Sequence, residues 1–335
     1  MNKIIKNIIL SLGISVVFIL IFSLFFNTEL SKFSNVNLTF VTIAIIILIL
    51  KITVQGIRFY FILRTCNIVN IKIGESTLIR IASEFISLIT PSYFGGEILK
   101  ISWLKTKNVS VGKSVSLSFI EILFDVIIGS SIAIITGIYI ALFFSLTYGI
   151  IITGISLIII LIYTLLIILT IKHKLPTPNI IKRIIRRILG EKKGTKIIRR
   201  IAYEKGSYYK NIKEFKKVMK LKNVVALTIM TLIIKSLLGL MLVAVFLALH
   251  SNIELILSLA AANISVTIGS IPITPGGSGI MELSANAVIQ SVLGNTYWNM
   301  IILWRIIYYY GGLIITGIAL SVIIIKRNKL YNRIK

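Results

Sequence analysis

Two apolar segments of this sequence are interrupted by the same combination of proline and glycine. The interruptions read Pro91-Ser-Tyr-Phe-Gly95-Gly96-Glu97 and Pro272-Ile-Thr-Pro275-Gly276-Gly277-Ser-Gly279-Ile-Met-Glu282. Proline removes a backbone donor and glycine frees the backbone, so an ordinary helix does not continue through either site. Inside a bilayer, broken backbone is tolerated only where protein buries it or where it lines a polar cavity. Two such breaks in matching halves of a membrane protein indicate a transport site.

Composition places the chain in a membrane. Apolar residues make up 56% of the sequence, the mean hydropathy is +0.96, and stretches long enough to span a bilayer recur. We therefore predict an all-α polytopic membrane protein. The single Cys66 excludes an internal disulfide, and His173 and His250 lack the spacing of metal ligands, so we expect no metal and no cofactor.

The net charge of +26 is concentrated in residues 172–222 and at the ends of membrane segments. This distribution is typical of cytoplasmic loops and of contact with anionic lipid headgroups, and no nucleic-acid module accompanies it, so we expect no nucleic-acid partner. Residues 179–189 separate into an isoleucine face and a basic face, which predicts a helix in the headgroup plane. A second amphipathic run, 196–219, offers Tyr208 and Tyr209 as interface anchors. The alternative is that this loop only fixes the topology.

The basic residues also predict a topology with both termini in the cytoplasm of a multi-pass cell-membrane protein. About six transmembrane helices are expected, near residues 8–26, 39–63, 114–140, 147–171, 224–249 and 299–325. The first broken segment, 75–104, has basic flanks that include Lys100, whereas the second, 255–293, has none. Each is therefore predicted to be a re-entrant hairpin, the first from the cytoplasm and the second from outside. Residues 39–140 and 224–325 would then form an inverted repeat within a single domain, 1–335.

Several acidic residues lie in apolar sequence, where each charge costs about 2.5–3.5 kcal/mol. Glu84 and Glu97 bracket the first break, and Glu282 follows the second. Glu121 and Asp125, spaced by four, share one helical face. Carboxylates at this depth need a counter-charge, a cation or a proton, and the basic residues available as partners are Arg58, Arg80, Lys235 and Arg305. We predict Glu84, Glu121 and Asp125 as ion- or proton-coupling groups; buried ion pairs that only join helices are the alternative.

The Pro272–Glu282 element, Gly95-Gly96-Glu97, Arg58 and the Glu121–Asp125 turn resemble the flippase-like integral membrane family, that of the lysylphosphatidylglycerol synthase transmembrane region. The resemblance covers nearly the whole chain and implies a lipid-handling protein. In multidomain relatives this region translocates an aminoacylated lipid, and a separate soluble domain performs aminoacyl transfer. This chain ends soon after its last predicted helix, so we expect no synthase activity and no enzyme. Ile280 and Met281 replace the valine and arginine frequent in the family, which removes a basic headgroup contact.

The favoured hypothesis is a lipid translocase, in which the two breaks form a polar groove for a lipid or lipid-linked headgroup. The predicted substrate-binding residues are Pro91, Gly95, Gly96, Glu97, Pro272, Pro275, Gly276, Gly277, Gly279, Glu282, Arg58 and Arg305. Four alternatives stay open: a secondary transporter of a small solute, a non-catalytic membrane partner in lipid or lipid-carrier modification, a membrane enzyme acting on a lipid-linked substrate, and a structural scaffold.

Overall fold

The computed structural model describes residues 13, 16, 17, 21, 33–68, 71–90, 94–171, 179–218, 220–269 and 274–332. Helices with short connections make up nearly all of these ranges. In chain order they are α1 (Leu38–Thr65), α2 (Ile73–Leu88), α3 (Phe94–Thr106), α4 (Val111–Phe143), α5 (Leu146–Ile171), α6 (Asn179–Leu189), α7 (Glu191–Val218), α8 (Leu221–Ala248), α9 (Leu255–Gly269), α10 (Ile280–Leu293), α11 (Trp298–Arg305), a π-helical segment (Ile306–Gly311) and α12 (Gly312–Asn332).

Five helices in the described part of the chain are long and apolar enough to cross a membrane: α1, α4, α5, α8 and the continuous rod from α11 into α12. Their bounds agree with the predicted spans to within a few residues, which confirms a multi-pass, all-helical membrane protein. The other predicted span, near residues 8–26, lies outside the described residues except at four single positions.

Both proline–glycine interruptions separate short helices, as predicted. Helix α2 ends at Leu88 before α3 begins, and α9 ends at Gly269 before α10 begins. These helices contain 13 to 16 residues, hence reach about 20–24 Å, less than the hydrocarbon thickness of about 30 Å. Pro275 lies in the second connection, whereas Pro91 and Pro272 lie outside the described residues.

Small residues allow close packing where α9 crosses α8. A Cβ added to Gly239 of α8 would lie 2.6 Å from Leu259 Cδ2, and Ser258 Oγ donates a hydrogen bond to the Gly239 carbonyl at 2.6 Å. Ala260, Ala261 and Ala262 on α9 are fully buried. Since lipid tails are as apolar as side chains, such close contact is a main source of helix association in a bilayer.

The basic segment has two parts with different environments. Helix α6 has the predicted bounds and ends before Gly190, whose φ of 75° suits a helix stop. Its isoleucines at positions 180, 184 and 188 are 68%, 50% and 74% exposed. Helix α7 instead packs on α4: the Gly112 amide donates to Glu204 Oε2 at 2.7 Å, and any Cβ on Gly112 would collide with the Glu204 carbonyl. Tyr209 is only 7% exposed, so it packs within the protein and is no interface anchor.

The last rod contains a π-helical segment, Ile306–Gly311, where the sequence predicts a regular helix. Such wide turns are rare and frequently lie at functional sites. Here Trp304 and Tyr308 stack with their ring centroids 5.5 Å apart, and Arg305 Cζ lies 4.4 Å from the Tyr309 ring centroid. The segment brings Arg305 and Tyr309 against the second break, while Tyr308 lines the cavity described below.

Candidate functional site

Glu121 on α4 is the centre of a buried charge cluster. Its Oε1 accepts hydrogen bonds from Arg80 Nε at 2.7 Å and Arg58 Nη2 at 3.3 Å, and its Oε2 accepts one from Lys100 Nζ at 2.7 Å. Arg58 comes from α1, Arg80 from α2 and Lys100 from α3, so one carboxylate joins four helices. Arg58 and Arg80, two of the four basic residues that the sequence offers as partners, pair with intramembrane carboxylates, and these pairs join helices as the alternative interpretation expects.

Asp125, one turn after Glu121, is held by the same guanidinium. Arg58 Nη1 and Nη2 donate to its two carboxylate oxygens at 2.8 Å and 2.7 Å, and Nη1 also donates to Thr231 Oγ1 at 3.0 Å. The shared face predicted from the spacing is therefore present. A bidentate pair of this kind fixes geometry as well as charge.

Two further carboxylates complete the cluster. Glu84 pairs with Arg80 at 2.7 Å on α2, and Glu97 pairs with Lys100 at 2.8 Å on α3. We call Arg58, Arg80, Glu84, Glu97, Lys100, Glu121 and Asp125 the Glu121 cluster. Lys100, expected at the membrane surface as a flanking charge, has a side chain only 2% exposed.

A cavity of about 270 Å³ lies beside the Glu121 cluster. Three predicted coupling or binding residues line it: Glu84, Glu97 and Asp125. Its wall draws on the helices of both predicted repeats, and its other polar lining includes Lys51, Gln55, Ser83, Ser87, Lys235 and Tyr308. Arg58 and Glu121 lie behind this wall, because they are 0% and 2% exposed and are absent from the lining.

A second, apolar groove of about 190 Å³ adjoins this polar cavity. Its walls are mainly isoleucine, valine and alanine side chains from α4, α5, α9 and α10, including Ile152, Ile155, Ile264 and Val288, with Tyr148, Ser156 and Ser284 among them. Thr267 on α9 lines both spaces. The cavity that contains the charged groups and the apolar groove therefore share Thr267 in their walls.

The second interruption forms its own buried network around Arg305. Arg305 Nη2 donates to the Gly276 carbonyl at 2.7 Å and to Ser278 Oγ at 2.9 Å, and its Nε lies 2.8 Å from Glu282 Oε1. The other Glu282 oxygen accepts the Gly279 amide at 2.8 Å. The start of α10 is thus capped by its own glutamate. We call Gly276, Ser278, Gly279, Glu282 and Arg305 the loop cluster; it does not line the polar cavity.

Glycine is required in this loop because its backbone enters the left-handed region. Gly276, Gly277 and Gly279 have φ values of 57°, 64° and 85°. A Cβ on Gly276 would also meet the Tyr309 ring and lie 3.0 Å from the Leu88 carbonyl oxygen. Leu88 is the last residue of α2, so the two interruptions meet at this point, and the Tyr309 hydroxyl donates to the same carbonyl at 3.4 Å.

The first interruption is also tightly packed where it is described. The Gly95 amide donates to Thr90 Oγ1 at 3.1 Å, and a Cβ on Gly96 would lie 2.5 Å from the Ser83 carbonyl oxygen. These glycines let α3 fold back against α2, which brings Glu97 and Lys100 to the Glu121 cluster. Their amides are not arranged around the cavity, whose lining includes Glu97 but neither glycine.

Comparison with known proteins identifies the family. The family profile described as "Lysylphosphatidylglycerol synthase TM region" matches residues 8–316 of this chain. The chain belongs to this family. It is also 26% identical over 282 residues to a "UPF0104 membrane protein" of Archaeoglobus fulgidus, a match that covers 79% of this chain and 80% of the relative. The resemblance inferred from the sequence motifs is confirmed.

Sequence reasoning missed part of the cavity wall. Lys51 lies inside the apolar run of α1 and was not singled out, although a lysine at that depth is itself a signal of function. Lys235, expected to pair with a carboxylate, has no carboxylate oxygen within 4.0 Å among the described residues. Within the same ranges, no group of three or more His, Cys, Asp or Glu side chains lies close enough together to hold a metal ion.

Proposed function

We propose that this protein is a lipid translocase that moves a lipid or lipid-linked headgroup across the membrane without altering it chemically. The observation that carries the proposal is that the polar cavity and the apolar groove share Thr267 in their walls. A phospholipid has a polar head joined to an apolar tail, and these adjoining spaces match that division. A soluble solute would have no use for the apolar groove.

The charges of the Glu121 cluster support the same proposal. Charged groups within a membrane are costly unless paired, and they mark substrate pathways when they face a cavity. The ion pairs of the Glu121 cluster hold the four helices α1, α2, α3 and α4 together. The side chains of Glu84, Glu97 and Asp125 also line the cavity, so they are accessible to a ligand there. In this proposal, exchange of these partners for headgroup atoms, or for a proton, accompanies each crossing.

Blocking the apolar groove tests the proposal directly. Ile155→Trp places a larger ring in the groove, where it would occupy the space proposed for the tail, and we expect a roughly tenfold slower lipid exchange, equivalent to about 1.4 kcal/mol. The measurement is dithionite quenching of tail-labelled fluorescent phospholipids of several headgroup classes in proteoliposomes.

The matched control for this change is Leu157→Trp, on the same helix. Leu157 is 47% exposed and does not line the groove, so exchange should stay near the wild-type rate. Exchange by the wild-type protein no faster than in empty liposomes, for every headgroup class, would refute the translocase. Equal slowing by both variants would refute the groove as the tail site.

The proposed mechanism includes an inverted repeat with two re-entrant hairpins, cytoplasmic termini in a cell membrane, and a basic segment that docks on anionic headgroups. The supporting observations are the matched helix breaks and the exposed isoleucines of α6 opposite its Lys/Arg face. This arrangement predicts that the end of α3 faces the cytoplasm and that the α10–α11 connection faces outside.

Cysteine labelling by a membrane-impermeant maleimide tests this topology. We expect Thr296→Cys to react in intact cells, Lys105→Cys only in inverted vesicles, and Ile184→Cys in neither until anionic lipid is removed. Native Cys66 should stay silent, because burial raises the pKa of its thiol to about 12 and only the thiolate reacts. Labelling of the first two variants from the same side would exclude the inverted arrangement.

A further inference from the structure

Two lysines of the polar cavity lack the partners that every other buried charge near it has. Lys51 on α1 and Lys235 on α8 are 5% and 7% exposed, and both line the cavity. Neither ammonium group makes a hydrogen bond or an ion pair within the described part of the chain. A buried ammonium group without a counter-charge is costly, so its presence beside a cavity points to a ligand that supplies one.

The residues around both lysines position their ammonium groups but provide no carboxylate in direct contact with them. Lys51 Nζ lies 4.8 Å from the centroid of the Tyr308 ring, a cation–π contact that orients the side chain. Lys235 Nζ fits against Gly129, where an added Cβ would lie 3.2 Å from it. Glycine at this position of α4 therefore provides room for the lysine.

The sum of the charges around the cavity indicates the sign of the charge that a bound ligand would carry. The Glu121 cluster contains four carboxylates and three cations, and the two lysines raise the cations to five. One positive charge is left over. A phosphodiester, which has one negative charge at neutral pH, would balance it.

We propose that the polar cavity binds the phosphate of a net-anionic lipid headgroup, with Lys51 and Lys235 as its cationic contacts. This inference rests on the proposed lipid translocation and specifies its substrate class. Ammonium groups are good phosphate ligands as compact point charges with several donors. The adjoining apolar groove supplies the place for the tail of the same molecule.

The other polar atoms of the cavity fit a headgroup that also carries hydroxyls. Gln55 Oε1 is buried and has no donor within the described residues. It lines the cavity together with the hydroxyls of Ser83 and Tyr308. An unpaired amide oxygen accepts from a hydroxyl, not from a phosphate oxygen. A zwitterionic headgroup, in contrast, brings its own cation into a region that already has one in excess.

Thermal unfolding of the purified protein in detergent tests this inference independently of transport. The probes are dihexanoyl-phosphatidylglycerol, dihexanoyl-phosphatidylcholine and inorganic phosphate. We expect the phosphatidylglycerol probe alone to raise the unfolding temperature, by about 3 °C at ligand concentrations well above the dissociation constant. Lys51→Met and Lys235→Met should each abolish that rise, whereas the exposed Lys222→Met should preserve it.

A second readout separates binding from a structural role. Without ligand, Lys51→Met and Lys235→Met should unfold at or above the wild-type temperature, because each removes an unpaired buried charge. Lower ligand-free stability, an undiminished rise in both variants, or equal rises with the two lipids would each overturn the inference. If inorganic phosphate raised the unfolding temperature as much as the anionic lipid does, the cavity would be an anion site, but its ligand would be a soluble phosphate and the lipid assignment would be wrong. If phosphatidylglycerol binds as expected but no lipid is exchanged in liposomes, the translocase fails and the anion site stands.

Discussion

Replacing Glu121 with alanine is expected to destabilise the protein by about 3–5 kcal/mol, because it removes the buried carboxylate to which three cations from three other helices donate. Arg80 and Lys100 each donate to this carboxylate at 2.7 Å, and Arg58 at 3.3 Å. Without it, each of the three cations would keep one carboxylate partner, but the acceptor that joins α2 and α3 to α4 would be lost. The free energy of unfolding, measured by denaturant titration in mixed micelles, reports the loss.

The chain offers a matched control for this change. Glu75 also forms an ion pair, with Lys107 Nζ 2.8 Å from its Oε1, but the Glu75 side chain is 39% exposed. Exposed pairs contribute about 0–1 kcal/mol, so Glu75→Ala should have little effect. A Glu121→Ala variant as stable as Glu75→Ala would mean that the Glu121 cluster does not hold α1 to α4 together.

The sequence was sufficient to predict the elements whose signals are local. The spans of α1, α4, α5 and α8 follow from long apolar stretches, and the α6 bounds follow from its alternating faces and from Gly190. The two breaks follow from proline and glycine, which act on their own backbone. Glu121 and Asp125 were predicted to share a face because helical spacing fixes that relation without any tertiary information.

The arrangement between helices could not be predicted, because it depends on which faces meet. Lys100 has the sequence context of a surface charge, yet the fold of α3 onto α2 turns it toward Glu121. Arg305, which the sequence offers as a carboxylate partner and as a substrate contact, pairs with Glu282 and binds the loop around Gly276. Tyr209 follows an amphipathic pattern that suits a membrane interface and a protein contact equally well. In each case a partner distant in sequence decides the environment.

The polar cavity shows the same limit. Lys51, Lys235 and Tyr308 come from three separate helices, and only their packing creates one chamber. The wide turn of Ile306–Gly311 has no clear sequence signal beyond the glycine pair at its end, Gly311-Gly312. The sequence did indicate that charged residues in apolar segments are candidates for function. Three of the predicted acidic residues, Glu84, Glu97 and Asp125, line the cavity.

Arg305→Ala is expected to be the second strongly destabilising change, again by about 3–5 kcal/mol. Arg305 is 0% exposed and joins three groups of the second interruption: the Gly276 carbonyl, the Ser278 hydroxyl and the Glu282 carboxylate. Its loss would leave the Gly279 amide as the one remaining partner of Glu282 among the described residues. Unfolding titrations in micelles measure the effect.

The graded variant Arg305→Lys separates charge from geometry. Lysine keeps the positive charge but lacks the planar guanidinium that lets arginine donate to several acceptors at once. We therefore expect a loss of stability between zero and that of Arg305→Ala. Because Gly276 contacts the end of α2 at Leu88, loosening this loop should also slow lipid exchange in the folded fraction of Arg305→Lys. Glu282→Gln combined with Arg305→Met removes both charges and should be more stable than Arg305→Ala. If the double change were no better, hydrogen bonds to the Gly276 backbone, and not the buried ion pair, would hold the second break against the first.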